Sequence, residues 1–264
     1  MPKILVTGSK GTIGTWLSRM LQNRGHEVFG IDIQHSVGEI GYTQIMAKTP
    51  FSYSRCDIAE FRQIERVLKE HKFDYVYNCA AEFGRWNGED YYEKVWDTNV
   101  KGLKHIIKLQ EEFDFKLIHF SSSEVYGDYE DVMLEKVMDE KEIKQLNDYA
   151  LSKWVNEQQI ANSIKTDNLD TVIVRIFNTY GPGEWYHPYR SVNAKFCYNL
   201  LNGIPVDVYK GHKRTSTYLE DSCNTIANIC ENFKSGEIYN IGGSELHTIE
   251  ELIDEVLKHT RANS

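Results

Sequence analysis

Short apolar, β-branched runs alternate along this chain with longer amphipathic stretches. The runs are "KILVT" from Lys3, "EVFGID" from Glu27, "YSRCD" from Tyr53, "YVYNCA" from Tyr75, "KLIHFS" from Lys116, "TVIVRI" from Thr171 and "EIYNIG" from Glu237. Their length and β-branched content predict strands. Thr12 to Arg24, Phe61 to Glu70, Trp96 to Gln110 and Tyr149 to Ile164 read as the helices between them. In the third, Asn99, Leu103, Ile106 and Ile107 fall at helical spacing. Strands alternating with helices predict an α/β fold built on a doubly wound parallel sheet.

Beyond residue 180 the alternation breaks. "YGPGEWYHPYRS" is a loop dense in Gly, Pro and aromatic residues. A helix over Val192 to Leu201, a short strand "VDVY" from Val206 and a helix after Thr217 follow. This part is expected to form a smaller lobe over the carboxyl ends of the sheet, where open α/β sheets bind ligands. The expected division is 1–178 and 179–264, with part of the last strands and helices returning to the first domain. No internal repeat or low-complexity linker interrupts the chain.

Composition narrows the function classes. The formal net charge of −9 argues against a general binder of nucleic acid or anionic membrane. No apolar run approaches the roughly 20 residues of a membrane span, and "MPKILVTGSK" reads directly as a strand rather than as a leader. Cys56, Cys79, Cys197, Cys223 and Cys230 are scattered without a CxxC, and the histidines lack metal-ligand spacing. A reducing cytoplasm is the expected location, and no metal is expected.

Chemistry enters at "VTGSKGTIG", where Gly8, Gly11 and Gly14 lie between the first strand and the first helix. Glycines there let backbone approach a pyrophosphate, and the helix N-terminus offers free N–H groups and partial positive charge. Thr12 and Ile13 open that helix. The second strand ends at Asp32, 18 residues beyond Gly14. An acid there accepts hydrogen bonds from ribose hydroxyls and repels a 2′-phosphate, which favours NAD over NADP. Tyr149 and Lys153 in "DYALSKW" share a helix face. An ammonium beside a phenol is expected to stabilise the phenolate and make it a usable base.

Taken in order, "TGSKGTIG", "CDI", "NCAA", "FSSSEVYG", "YALSK" and "VRIFNTYGPGE" resemble the extended short-chain dehydrogenase/reductase family, and within it the nucleotide-sugar epimerases, dehydratases and decarboxylases. The resemblance implies a Rossmann-type NAD-binding domain, a smaller C-terminal lobe for a nucleoside-diphosphate sugar, and a homodimer built from the helices after Tyr91 and after Asp148. It implies that Asp57 and Ile58 lie beside the adenine and that Ala80 and Ala81 pass under the cofactor. Asn99 matches an asparagine that supports the active site and is expected, with Tyr149 and Lys153, among the cofactor-binding residues. Asn178 and Arg214 match positions that contact the diphosphate, for which a guanidinium fork is suited. Members run some tens of residues past "HTIEELIDEVLKHT", so either the sequence is shortened at its C-terminus or the lobe is smaller than the family's.

The same resemblance separates the three serines that precede Glu124. Ser122 falls at the catalytic Ser/Thr position, beside the reacting sugar oxygen and Tyr149; Ser121 is expected to be structural. Ser123 stands where dehydratases of the dTDP-glucose type place an aspartate, which argues against that reaction. Glu124 matches a glutamate of GDP-mannose-type dehydratases and UDP-glucuronate decarboxylases, and a simple 4-epimerase needs no such group. The absence of an Arg soon after the "GP" turn counts against decarboxylation. Glu82, Arg85, Trp86, Tyr186 and Arg190 are expected to overhang the pocket.

The expected activity is therefore NAD-dependent oxidation at sugar C4 to a 4-keto intermediate by Ser122, Glu124, Tyr149 and Lys153, followed by epimerisation or dehydration. The alternatives are a UDP-glucuronate-type decarboxylase, a nucleotide-sugar 4-dehydrogenase, or a non-catalytic NAD-binding regulatory protein.

Overall fold

A computed structural model of the chain describes residues 1–34, 51–184 and 186–260. Trp185 of the aromatic loop lies outside them. Seven parallel strands form the main sheet. In chain order they are β1 (Lys3–Thr7), β2 (Glu27–Asp32), β3 (Ser52–Arg55), β4 (Tyr75–Asn78), β5 (Lys116–Ser122), β6 (Thr171–Ile176) and β10 (Ile238–Ile241). Their spatial order is β10-β6-β5-β4-β1-β2-β3. Chain direction across the sheet therefore reverses between β1 and β4, which opens a crevice at their carboxyl ends.

Strand alternation sorts side chains onto two faces. Ile4, Val6, Tyr77, Ile118, Phe120, Val172 and Val174 face one side. They pack against Trp16, Leu17 and Leu21 of α1 (Thr12–Asn23) and Leu219, Cys223 and Ile226 of α9 (Leu219–Ala227). Leu5, Ile31, Val76, Leu117 and Ile173 face the other side. There they meet α2 (Phe61–Glu70), α5 (Gly102–Phe113) and α7 (Asp148–Asp167) through Ile64, Leu103, Ile106, Ile107 and Ile160. Burial on both faces explains why these strands read as continuous apolar runs rather than alternating ones.

Two features of these helices matter for the site. The predicted helix from Trp96 is not uniform: after α3 (Arg85–Asp90) and α4 (Tyr92–Val95), residues Trp96–Lys101 form a π-helical turn that leads into α5. Such bulges re-aim side chains and cluster at functional sites; this one carries Asn99. After the short α6 (Val137–Glu140), helix α7 opens on Asn147, whose side-chain oxygen accepts from the Ala150 N–H at 2.8 Å.

The C-terminal part holds α8 (Val192–Leu201) and α10 (Ile249–Thr260), packed together, with an antiparallel pair β8 (Lys213–Thr215) and β11 (Leu246–Thr248). A short parallel pair, β7 (Thr179–Tyr180) and β9 (Thr217–Tyr218), joins it to the main sheet. The strand expected at "VDVY" is absent: Val206 to Tyr209 is irregular chain after Pro205, and β8 takes the ladder with β11 instead. A β-branched run without a neighbouring strand has nothing to satisfy its backbone. β10 and α9 both return to the main sheet.

Candidate active site

A cavity of about 2260 Å³ opens at the carboxyl ends of β1, β2, β4, β5 and β6. That is more than twice the roughly 300–1,000 Å³ of an ordinary small-molecule pocket, which leaves room for two ligands end to end. One end is the glycine cradle. Gly8 has φ +64°, and a Cβ there would press on the Ala80 backbone; a Cβ on Gly14 would strike the Gly8 carbonyl. The turn, the β4 loop and α1 are thus packed backbone on backbone, as close approach to a phosphate requires. Gly11 caps α1 with no side-chain hydrogen bond, so its first N–H groups are free of a side-chain cap.

Asp32 and Asp57 close this end. Asp32 is buried, and its carboxylate accepts from Lys10 N at 3.0 Å and Gln34 N at 3.2 Å. Burial pushes its pKa up, against the pull of those backbone donors. Asp57 accepts from Ala59 N at 2.9 Å, while Glu60 caps α2; its carboxylate shapes the turn rather than starting the helix. Ile58, Ala80 and Ala81 line the same wall with Thr12 and Ile13. The bare cradle, the unpaired α1 N-terminus and the acid at the end of β2 fit a dinucleotide.

Asn99 does not line the cavity. It lies beneath it, 3% exposed, accepting from Glu82 N at 2.9 Å and donating to the Glu82 carbonyl at 3.0 Å and to Ser152 Oγ at 3.0 Å. The π-helical turn aims it at the backbone of the 80–84 loop. It braces that loop against α7 and, unlike the other residues expected at the cofactor, does not line the cavity.

At the middle of the cavity, β5 ends in a 3₁₀ turn over Ser123–Tyr126, capped by Ser122, whose Oγ accepts from Glu124 N at 3.2 Å. The Ser122 hydroxyl also lies close enough to the Tyr149 phenol to favour its phenolate. Ser121 also borders the cavity, and its hydroxyl donates to Glu157 Oε1 at 2.5 Å. The turn is closed by the Glu124 backbone carbonyl, which accepts from Gly127 N at 3.1 Å. The Glu124 carboxylate is exposed to the cavity and accepts from Asn147 Nδ2 at 3.2 Å. Sequence reasoning missed Asn147 here; its place just before an apolar helix signals a cap, and the cap's amide has a second bond to give.

At the far end, Arg214 Nη2 donates to Asn178 Oδ1. The two residues expected at a diphosphate are therefore in contact. Arg214 Nε is buried with no hydrogen-bond partner among the described residues, so it remains available to an anionic ligand. Glu82, Arg85, Trp86, Tyr186 and Arg190 also line the cavity, with the Arg190 guanidinium 4.4 Å from the Phe83 ring centroid.

A model of the NAD dependent epimerase/dehydratase family matches residues 4–242. The chain belongs to this family. It is 26% identical over 283 residues to the dTDP-glucose 4,6-dehydratase of Salmonella typhimurium, covering 97% of this chain and 78% of the other. It is 27% identical over 269 residues to a UDP-N-acetyl-alpha-D-glucosaminuronate decarboxylase of Bacillus cytotoxicus, covering 99% and 81%. Among solved structures, the dTDP-glucose 4,6-dehydratase DesIV of Streptomyces venezuelae, with NAD and TYD bound, superposes with a TM-score of 0.86 at 26% identity over 99% and 82% of the two chains. The UDP-glucose 4-epimerase of Thermus thermophilus shares the fold, with a TM-score of 0.86 at 23% identity over 99% and 84%. The sequence expectations of a Rossmann-type fold, of NAD as cofactor and of an enzyme of this family agree with these matches.

One electrostatic expectation for this family member is corrected. Lys153 was expected to lower the Tyr149 pKa. Instead burial pushes Tyr149 up to about 12; the Ser122 hydroxyl opposes this and the Glu124 charge adds to it. Lys153 Nζ lies 5.9 Å from the Tyr149 ring centroid and donates to the Phe120 carbonyl at 2.7 Å. Lys153 is itself pushed down to about 8 by burial, which the neighbouring Cys79 and Glu157 oppose. The phenol is thus held protonated at neutral pH until further positive charge enters the cavity. Among the described residues no helix is long and apolar enough to cross a membrane, and no group of His, Cys, Asp and Glu is arranged to hold a metal.

Proposed function

We propose that this chain is an NAD-dependent nucleotide-sugar enzyme that oxidises C4 of its substrate to a ketone and completes an epimerisation or a dehydration from that intermediate. The supporting observation is the convergence of Ser122, Tyr149 and Glu124 on one cavity, with the glycine cradle at one end and the Asn178–Arg214 pair at the other. Gly8, Gly11, Thr12, Ile13, Gly14, Asp32, Asp57, Ile58, Ala80 and Ala81 would hold NAD. When bound, its nicotinamide supplies the hydride acceptor and a positive charge.

Tyr149 takes the C4 hydroxyl proton, and Ser122 holds that oxygen against the phenol. Lys153 supplies positive charge from the next turn of α7. Asn178 and Arg214 hold the diphosphate. Glu124 faces the sugar from the other side of the turn. Once C4 is a ketone the adjacent C–H is acidic, and a carboxylate can remove that proton. Decarboxylation, favoured by a relative's activity, uses the same first step; the lack of an Arg after Pro182 leaves it the second reading.

Incubating the NAD-loaded protein with UDP-, GDP-, CDP- and dTDP-sugars, with products read by mass spectrometry and NMR, tests this. A C5-inverted, C4-inverted or dehydrated sugar supports it; no turnover of any sugar by NAD-loaded protein contradicts it. We also propose a homodimer through the face shared by α5 and α7, and a cytoplasmic location for a chain whose five cysteines are unpaired. A monomeric mass by light scattering would rule out the dimer.

A further inference from the structure

Behind the catalytic residues lies a buried polar cluster that the chemistry above does not use. Arg175 of β6 and Glu157 of α7 form a two-pronged ion pair, Nε to Oε1 at 3.0 Å and Nη2 to Oε2 at 2.7 Å, with side chains 1% and 3% exposed. A buried ion pair is often no better for stability than apolar residues of the same volume, so its presence calls for another account. Its further hydrogen bonds supply one. Glu157 Oε1 accepts from Ser121 Oγ at 2.5 Å. Arg175 Nη1 donates to the Tyr126 hydroxyl at 2.8 Å and to the Glu135 carbonyl at 2.9 Å. Tyr126 in turn donates to Asn240 Oδ1 at 2.9 Å.

Ser121 and Tyr126 are the two ends of the segment that carries Ser122 and Glu124. Glu157 lies on the same buried face of α7 as Lys153, one turn further on, and Lys153 lies one turn from Tyr149. We propose that the Glu157–Arg175 pair is a positioning unit for the reaction, locking both ends of the Ser122–Glu124 segment onto the helix that bears Tyr149 and Lys153. This rests on the roles given to Tyr149 and Lys153 above.

The unit also acts through charge. The groups facing Lys153 are Glu157 and Tyr149 on its own helix, Cys79 after β4 and His119 on β5. His119 is buried and held neutral, and Cys79 is a thiol whose pKa burial raises. Glu157 is therefore the anionic neighbour that keeps the buried ammonium protonated near neutral pH, and Arg175 fixes where that anion stands.

The test uses the full-length protein. Glu157→Gln keeps the shape and removes the charge. Ser121→Ala removes only the tether to the strand end. A Glu157→Met, Arg175→Met double variant replaces the pair by apolar bulk and serves if Glu157→Gln does not fold. Folding is read by circular dichroism and cofactor retention by NAD binding. Lys153 is titrated through its Cε resonance, assigned by its loss in Lys153→Met, and Tyr149 through tyrosinate absorbance, assigned against Tyr149→Phe.

In folded, NAD-binding Glu157→Gln the Lys153 midpoint falls by about one unit, a tenfold change in proton affinity; in the double variant, which removes a cation with the anion, it falls by less. In Ser121→Ala the Tyr149 midpoint rises, as the Ser122 contact slackens. Unmoved midpoints in folded variants would reduce the pair to a structural brace and overturn the proposal. These titrations do not depend on turnover. If Tyr149→Phe abolishes turnover while the midpoints stay put, this inference alone fails; if Tyr149→Phe remains active, the functional reading fails.

Discussion

Lys153 stands one helical turn from Tyr149, yet its ammonium hydrogen-bonds the Phe120 carbonyl at 2.7 Å and lies 5.9 Å from the phenol ring centroid. The pair is assembled without being switched on. Burial leaves the phenol at about 12 and the amine at about 8, so at neutral pH the protein alone holds a protonated tyrosine beside a protonated lysine. A positively charged nicotinamide bound in this cavity would pull the phenol's pKa down.

The tyrosine should titrate accordingly. Without cofactor, the tyrosinate absorbance lost in Tyr149→Phe appears near pH 12. Because Glu124 raises the phenol's pKa, Glu124→Gln moves that midpoint down, as does NAD⁺. A midpoint near 7 in the cofactor-free protein would contradict the electrostatics described here.

Lys153 exacts a stability penalty for its position. A buried base depressed from 10.5 to about 8 is disfavoured in its charged form below that pH. At roughly 1.4 kcal/mol per unit this is on the order of 3 kcal/mol at pH 7. The penalty fades as pH rises from about 8 toward the unfolded value of about 10.4, where the amine is neutral in both states. Lys153→Met forfeits the bond to Phe120, about 1 kcal/mol. The cofactor-free variant should therefore be more stable at pH 7 by about 1–2 kcal/mol while losing turnover. Calorimetric melting measures this; a lower melting temperature in the variant would count against it.

Asp32 should set the cofactor preference. Asp32→Asn preserves an acceptor for Lys10 N and removes the charge that repels a 2′-phosphate. The ratio of NADP to NAD affinity should rise by about tenfold, or 1.4 kcal/mol. Fluorescence titration with both cofactors reads the ratio, and an unchanged ratio would leave Asp32 only its bond to the glycine loop.

Glu124→Gln separates the two halves of the reaction. C4 oxidation, seen as reduction of bound NAD, should continue, because Tyr149 and Ser122 are intact. Steps that require proton removal beside the ketone should slow by about 10²–10⁴-fold, the range of general base catalysis. If both oxidation and the final product survive unchanged, Glu124 serves only its hydrogen bond to Asn147.

Much of this site was legible because local sequence dictates it. The cradle needs glycine where backbone meets backbone, as at Gly8 and Ala80, and that need shows as spacing. Ser122, Tyr149 and Lys153 announced themselves through strand end and helix face. The direction of the Tyr149 shift was not legible, because it depends on burial and on Glu124, distant in sequence and adjacent in space. The place of Asn99 was hidden for a similar reason: a π-helical turn, invisible in helical periodicity, aims it at the Glu82 backbone rather than at the cavity. The strand expected at "VDVY" failed because a ladder needs a partner, and β11 pairs with β8.

The central claim is that Tyr149 takes the proton from the sugar C4 hydroxyl. The most direct measurement is stopped-flow absorbance at 340 nm of NAD-loaded Tyr149→Phe and unaltered protein, mixed with the nucleotide sugar that the unaltered protein turns over. The account predicts that the variant keeps its NAD and shows loss of the reduction step by 10²-fold or more. Reduction of bound NAD at a rate near that of the unaltered protein would contradict it.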